Sequence, residues 1–313
     1  MLGKTANGLF WLSRYLERAE NTARLIETGH RIALTRLNAG DEEWRSTLSA
    51  SGGVAAFEAV RGAVTREAAI DWMLRDKDNT SSIRSNIANA RQNARLVRAA
   101  ITGEVWEAIN ATHMSAAELL ARRVATRDLP AVLRTIRQNT ALVRGMVHGT
   151  MMRNDNYDFL RLGTFLERAD NTARILDVKY YVLLPSASSV GSSIDNVQWE
   201  SILRSLGARG GFRMEHGGGG GALAIAHFLI LDNRMPRSLA FCINKLQSNL
   251  RFLTKAYDVQ PESCAMLSHL ERDLLDRDIA SIFDYGLHEY IQAVLARLAE
   301  AGRQIEVDFR FTA

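Results

Sequence analysis

The chain of 313 residues has a formal net charge of +4, with 47% hydrophobic and 24% charged residues, the balance of a folded globular protein with a sizeable core. Acidic and basic residues alternate rather than gathering into runs, which argues against a nucleic-acid-binding surface. No stretch approaches the ~18–20 uninterrupted apolar residues of a membrane-spanning helix; Cys242 and Cys264 lack metal-type spacing, and the first residues lack an apolar signal core, so a cytoplasmic protein with reduced thiols is expected.

The periodicity is helical from the start. Leu12, Leu16, Ala19, Ala23 and Ile26 recur at spacings of four and three, one apolar stripe of an amphipathic helix. On a wheel of ~100° per residue, Glu17, Asn21 and Arg24 lie on nearly the opposite side, while Arg18 and Thr22 flank the stripe. Further helices are expected over 54–76, 80–101, 104–127 and 130–152. Four prolines in the whole chain force few breaks.

The helix then returns. Leu16-Glu17-Arg18-Ala19-Glu20-Asn21-Thr22-Ala23-Arg24-Leu25-Ile26 reappears 150 residues on as Leu166-Glu167-Arg168-Ala169-Asp170-Asn171-Thr172-Ala173-Arg174-Ile175-Leu176, with only conservative differences. Trp44 and Leu48 are answered by Trp199 and Leu203, 155 residues on. Asp76, Ser82, Ile83 and Ile87 are answered by Asp232, Ser238, Leu239 and Ile243, 156 residues on. The growing offset places an insertion near residues 185–193, expected to be a surface loop. The expected architecture is an all-α helical bundle formed by tandem duplication with pseudo-twofold internal symmetry. Its repeats, 1–153 and 154–313, pack as one compact unit. A long helix through Tyr290, Leu295 and Leu298 closes the chain, and residues 307–311 are ambiguous between helix and strand.

Both copies keep Glu, Arg, Asn and Arg in one register, so that polar face is expected to meet something other than water. Two readings fit. Glu17, Arg18, Asn21, Arg24, Glu167, Arg168, Asn171 and Arg174 form a binding or catalytic site, or they form a buried ion-pair network fixing the register of the halves. The segments Asp78–Ile87 and Asn233–Leu239 each open a helix. Ser81, Ser82, Arg237 and Ser238 stand where side chains cap free N–H groups or where an anion can sit.

These features, the repeated Glu-Arg element with Trp44, Trp199 and the two helix-opening segments, resemble the bacterial alpha-E family over essentially the whole chain. Thr80 departs from the pattern, which has proline there. The resemblance implies an α-helical protein defined by its Glu-Arg motif, here Glu17-Arg18 and Glu167-Arg168. It implies as partners a circularly permuted ATP-grasp protein and a transglutaminase-like protein, in a system of peptide synthesis or modification. No catalytic role comes with the motif.

Other signals lead elsewhere. Gly217–Gly221 lacks the Lys-Ser/Thr of a phosphate loop and reads as a linker. Glu27-Thr28-Gly29-His30 has the Glu-x-x-His spacing of di-iron bundles, but the second copy offers Asp177 and Tyr180. No metal or cofactor is expected. The leading expectation is a non-enzymatic partner or scaffold. The alternative is an enzyme acting on a peptide, carboxylate or phosphate through the paired Glu-Arg helices.

Overall fold

The computed structural model describes residues 1–35, 41–182, 193–217 and 219–311. Among these the chain forms fifteen α-helices and no strand. The first half contains α1 (Gly3–Thr35), α2 (Asp41–Ala50), α3 (Val54–Arg61), α4 (Arg66–Leu74), α5 (Ile83–Leu96), α6 (Gly103–Leu119) and α7 (Leu129–Thr150). The second contains α8 (Asp155–Val182), α9 (Ser193–Ser205), α10 (Arg209–His216), α11 (Ala222–Ile230), α12 (Leu239–Tyr257), α13 (Glu262–Leu275), α14 (Ile279–Tyr285) and α15 (Leu287–Asp308).

The two motif helices, α1 and α8, form the centre. Residue numbers rise together across their seam: Gly163 meets Phe10 and Ser13, and Glu167 meets Arg14 and Arg18, so the helices run parallel. The approach is close because small residues line it. A Cβ on Gly163 would sit 2.1 Å from the Phe10 carbonyl oxygen. Ala19, Ala23, Ala169 and Ala173 are fully buried in the same core. Helix α5 packs on α1 and α12 on α8, with α7 against α1 and α15 against α8. Trp44 on α2 and Trp199 on α9 are both core residues. The apolar stripe of α1 is buried in the core, while Glu17 and Glu20 on its polar side meet Arg168 of α8 and Arg144 of α7.

Several boundaries differ from the periodicity. The helix expected over 54–76 is two helices, because Gly62 turns into positive φ after α3 and the Thr65 hydroxyl then caps α4. The helix expected to reach 127 stops at Leu119, where the Arg75 guanidinium donates to the Leu120 carbonyl. The run over 80–101 is α5 followed by a short 3-10 turn at Arg98–Ala100. Residues 307–311 are not a strand: α15 continues through Asp308, and the turn beyond it buries Phe311 against Phe10 and Phe159. The glycine stretch joins α10 to α11, with Gly217 closing α10 in the left-handed conformation. The expected loop at 185–193 lies outside the described residues except for Ser193, which begins α9.

Candidate functional site

The Glu-Arg motifs are reciprocal across the α1–α8 seam. Arg18 grips Glu167 through Nε at 2.6 Å and Nη2 at 2.8 Å. Arg168 grips Glu17 in the same fork, through Nε at 2.9 Å and Nη2 at 3.0 Å. Each glutamate therefore pairs with the arginine of the other copy, not with its own neighbour. Guanidinium and carboxylate are planar, so the two-pronged contact fixes orientation as well as separation.

Around each pair the environments diverge. Glu17 also meets Arg144 of α7 at 3.2 Å and Arg237 at 2.9 Å. Glu20, one turn on, accepts from Arg24 at 2.8 and 3.0 Å, from Arg237 at 2.8 Å, from Thr140 at 3.3 Å and from Arg144. Glu17 and Glu20 are only 2% and 1% exposed. Glu167 has Arg18 and one further guanidinium, Arg14 at 3.0 Å. Asp170, the counterpart of Glu20, pairs with Arg174 at 2.7 Å within its own helix.

Burial alone would push these carboxyls up, but the arginines win. Arg168, Arg237 and Arg144 hold Glu17 well below the usual carboxylate range. Burial and repulsion from Glu17 raise Glu20, and Arg237, Arg144 and Arg24 bring it below its ordinary value. Burial raises Glu167, and Arg18 and Arg14 bring it down. Burial lowers Arg237 to about 10, with Glu17 opposing, so it remains protonated at neutral pH. All three glutamates are thus ionised and engaged. A general acid near neutral pH needs the opposite tuning.

The helix-opening segments are built alike. Asp76 Oδ1 accepts from the Asp78 amide and Asp232 Oδ1 from the Arg234 amide, both bending the chain before the helix. Ser82 caps α5 by accepting from the Ser85 amide at 3.2 Å, and Ser238 caps α12 by accepting from the Phe241 amide at 3.0 Å. Arg237 turns away from the start of α12 into the acidic pair on α1, so its charge meets carboxylates and not an anion at the helix start. Ser81, 156 residues earlier in the chain, lines a cavity.

That cavity, of about 410 Å³, lies on the other side of the seam. Arg18, Asn21, Glu167, Asp170, Asn171 and Arg174 border it from α1 and α8, and residues 50–53 and 79–81 border it from the loops. Gly52 and Thr80 at its rim are exposed, so it opens to the surface. Its volume is within the roughly 300–1,000 Å³ of ordinary ligand pockets. The structure therefore brings five of the eight sequence candidates to one cavity, while Glu17 and Arg168 lie across the seam. Arg24 lies there too, bound to Glu20.

Sequence reasoning did not single out Glu20 and Asp170, although the recurrence of an acid at that register was a signal. Arg14, Thr140 and Arg144 have no such signal. Gly52 and Gly207 do: they follow Trp44 and Trp199 at the same spacing. Both have positive φ, and a Cβ would lie 3.2 Å from Arg174 on one and 3.0 Å from Arg24 on the other.

Elsewhere, Glu27 pairs with Arg31 and Arg137, and His30 lies against Arg66. Among the described residues no group of three or more metal-ligating side chains converges. None of their helices is long and apolar enough to cross a membrane.

Fold and site together define an all-helical protein whose two Glu-Arg helices clasp each other by exchanged ion pairs beside a polar cavity. The chain belongs to the Alpha-E family, a predicted alpha-helical domain with a conserved ER motif, whose model matches residues 1–309. It is also similar to two uncharacterised proteins, of Mycobacterium bovis and Mycobacterium tuberculosis, each 22% identical over 269 residues. That match covers 80% of this chain and 30% of each relative, so the chain spans under a third of their length. No solved structure matches it.

Proposed function

We propose that this protein is a non-enzymatic helical partner or scaffold, working beside an ATP-grasp ligase and a transglutaminase-like protein in a cytoplasmic system of peptide synthesis or modification. The observation that carries this reading is the state of the motif. Glu17 and Glu167 are each gripped by at least two guanidiniums across the helix seam and held ionised, which suits a clasp and not proton transfer. In this reading the two repeats, 1–153 and 154–313, arose by duplication and pack about a pseudo-twofold axis along the seam. The exchanged pairs and the matched capping segments support it. The cavity beside the clasp is the binding site.

The test is co-expression with a circularly permuted ATP-grasp protein from the same organism, followed by size-exclusion chromatography. Co-elution at micromolar concentration is expected. Separate elution would overturn the partner reading.

One observation favours an enzyme instead: the cavity borders two carboxylates, Glu167 and Asp170, together with Arg18 and Arg174. Glutamate and aspartate would act as acid or base there, with the arginines orienting a carboxylate or phosphate. Turnover of a peptide or phosphorylated substrate that Asp170→Asn abolishes, without loss of helical circular dichroism, would establish that reading over the first.

A further inference from the structure

Ser81 and Arg237 occupy the same place in the two repeats, one residue before the capping serines Ser82 and Ser238. On the Arg237 side, a guanidinium fills the space between α1 and its capping segment. Its Nη1 is 2.9 Å from Glu17 Oε1 and 3.0 Å from Asn21 Oδ1, and its Nη2 is 2.8 Å from Glu20 Oε1. On the Ser81 side the side chain ends at a hydroxyl, and the corresponding space is the cavity.

The three acceptors recur there as Glu167, Asn171 and Asp170. Glu17 Oε1 receives Arg168 Nε and also meets Arg237, whereas Glu167 Oε1 receives Arg18 Nε alone among the described residues. Asn21 Oδ1 accepts from Arg237, whereas Asn171, only 6% exposed, makes no side-chain hydrogen bond among the described residues, and its Nδ2 is buried without a partner. Asn21 Nδ2 is likewise buried without a partner, so the two amides differ at Oδ1, the acceptor that a guanidinium could engage at Asn171 as Arg237 does at Asn21. Charge does not forbid a cation. Glu17 and Glu20 already have Arg168, Arg144 and Arg24 beside them and still hold Arg237. Glu167 and Asp170 likewise have three, Arg18, Arg14 and Arg174. An anion is the poorer fit, because Arg18 and Arg174 each already direct two nitrogens at a carboxylate.

We propose that this cavity binds a guanidinium group supplied from outside the chain, held by Glu167, Asp170 and Asn171 as Arg237 is held by Glu17, Glu20 and Asn21. The buried Nδ2 of Asn21, which also borders the cavity, offers a donor for a carbonyl next to that group, as an arginine residue in a polypeptide would provide. The assignment rests on reading the cleft as the chain's binding site, and it names what that site takes.

The experiment is isothermal titration calorimetry on the full chain with three probes: N-acetyl-arginine amide, free arginine, and N-acetyl-citrulline amide, whose neutral urea replaces the guanidinium. Binding of an arginine probe at least tenfold tighter than the citrulline probe is expected. Tighter binding of the amide than of free arginine identifies a polypeptide side chain as the source, and the reverse order identifies a small metabolite. Ser81→Arg should fill the cavity with its own guanidinium, raise Tm and weaken the arginine amide at least tenfold. Should that variant not fold, Asp170→Asn carries the same test, with a tenfold loss expected while helical circular dichroism is retained. Absence of binding by both arginine probes at millimolar concentration, or equal binding of citrulline, would overturn the assignment. Co-elution with the ATP-grasp protein is a separate readout, so loss of either idea is distinguishable from loss of the other.

Discussion

Glu17 and Glu167 carry the same motif but not the same cost. Replacing Glu17 by glutamine leaves Arg168, Arg144 and Arg237 around a neutral amide, and two of these, Arg168 and Arg237, are almost fully buried. Breaking a buried pair in this way costs ~3–5 kcal/mol. Around Glu167, the partners Arg14 and Arg18 reach partly to solvent, where water screens them. Chemical denaturation should therefore show Glu17→Gln as the more damaging of the two, and equal losses would count against the asymmetry described. The pH dependence has a definite sign. Folded-state pKa values of Glu17, Glu20 and Glu167 lie below their unfolded values. Their stabilisation is complete above the ordinary carboxyl range and is lost as pH falls through it and below.

Asp158 behaves oppositely. Burial first, and then Asp155, raise it to about 7. The folded state keeps a proton that the unfolded chain releases above about pH 4, so this residue reduces stability as pH rises from there to about 7, and the loss levels off above that. Asp158→Asn should raise Tm by several degrees at pH 8 and change it little near pH 4. A pH-independent effect in differential scanning fluorimetry would show that packing, not ionisation, governs the site.

At the scale of elements, the seam depends on residues that are small or conformationally unusual. Gly52 and Gly207 have φ of 74° and 65°, and each places backbone where a side chain would press on Arg174 or Arg24. Alanine at either position costs about 1–2 kcal/mol for the left-handed backbone, and contact with the arginine adds to it. Gly207→Ala should be the worse, because its Cβ would be closer to a guanidinium already committed to the buried Glu20. Urea unfolding midpoints would check the order. The capped starts of α5 and α12 each leave one residue, Ser81 or Arg237, just before the capping serine. Those starts were legible from their polar residues. The break of the 54–76 run at Gly62 was not, because the apolar spacing continues across it and only the backbone conformation interrupts the helix.

For the whole molecule, the halves are not separable bodies. Helix α8 packs on α1 and α2 as well as on α12 and α15, and α9 packs on α1. The Glu17 network draws Arg144 from the first half and Arg168 and Arg237 from the second. Calorimetry should give one unfolding transition whose van't Hoff and calorimetric enthalpies agree. Two transitions would mean that the halves melt independently.

By itself the sequence determined the helical class, the repeated motif, the recurrence of Trp44 as Trp199 and the capping serines, because each follows from local periodicity or from identity between the copies. Only the tertiary structure decided which arginine answers which glutamate. Glu17-Arg18 reads as a neighbouring pair along the chain, yet adjacent residues on a helix point about 100° apart and do not face each other. Packing α8 parallel to α1 places Arg168 against Glu17 and Arg18 against Glu167. It also turns a one-residue difference, serine for arginine at equivalent positions, into a cavity on one side of the seam and a filled ion-pair network on the other.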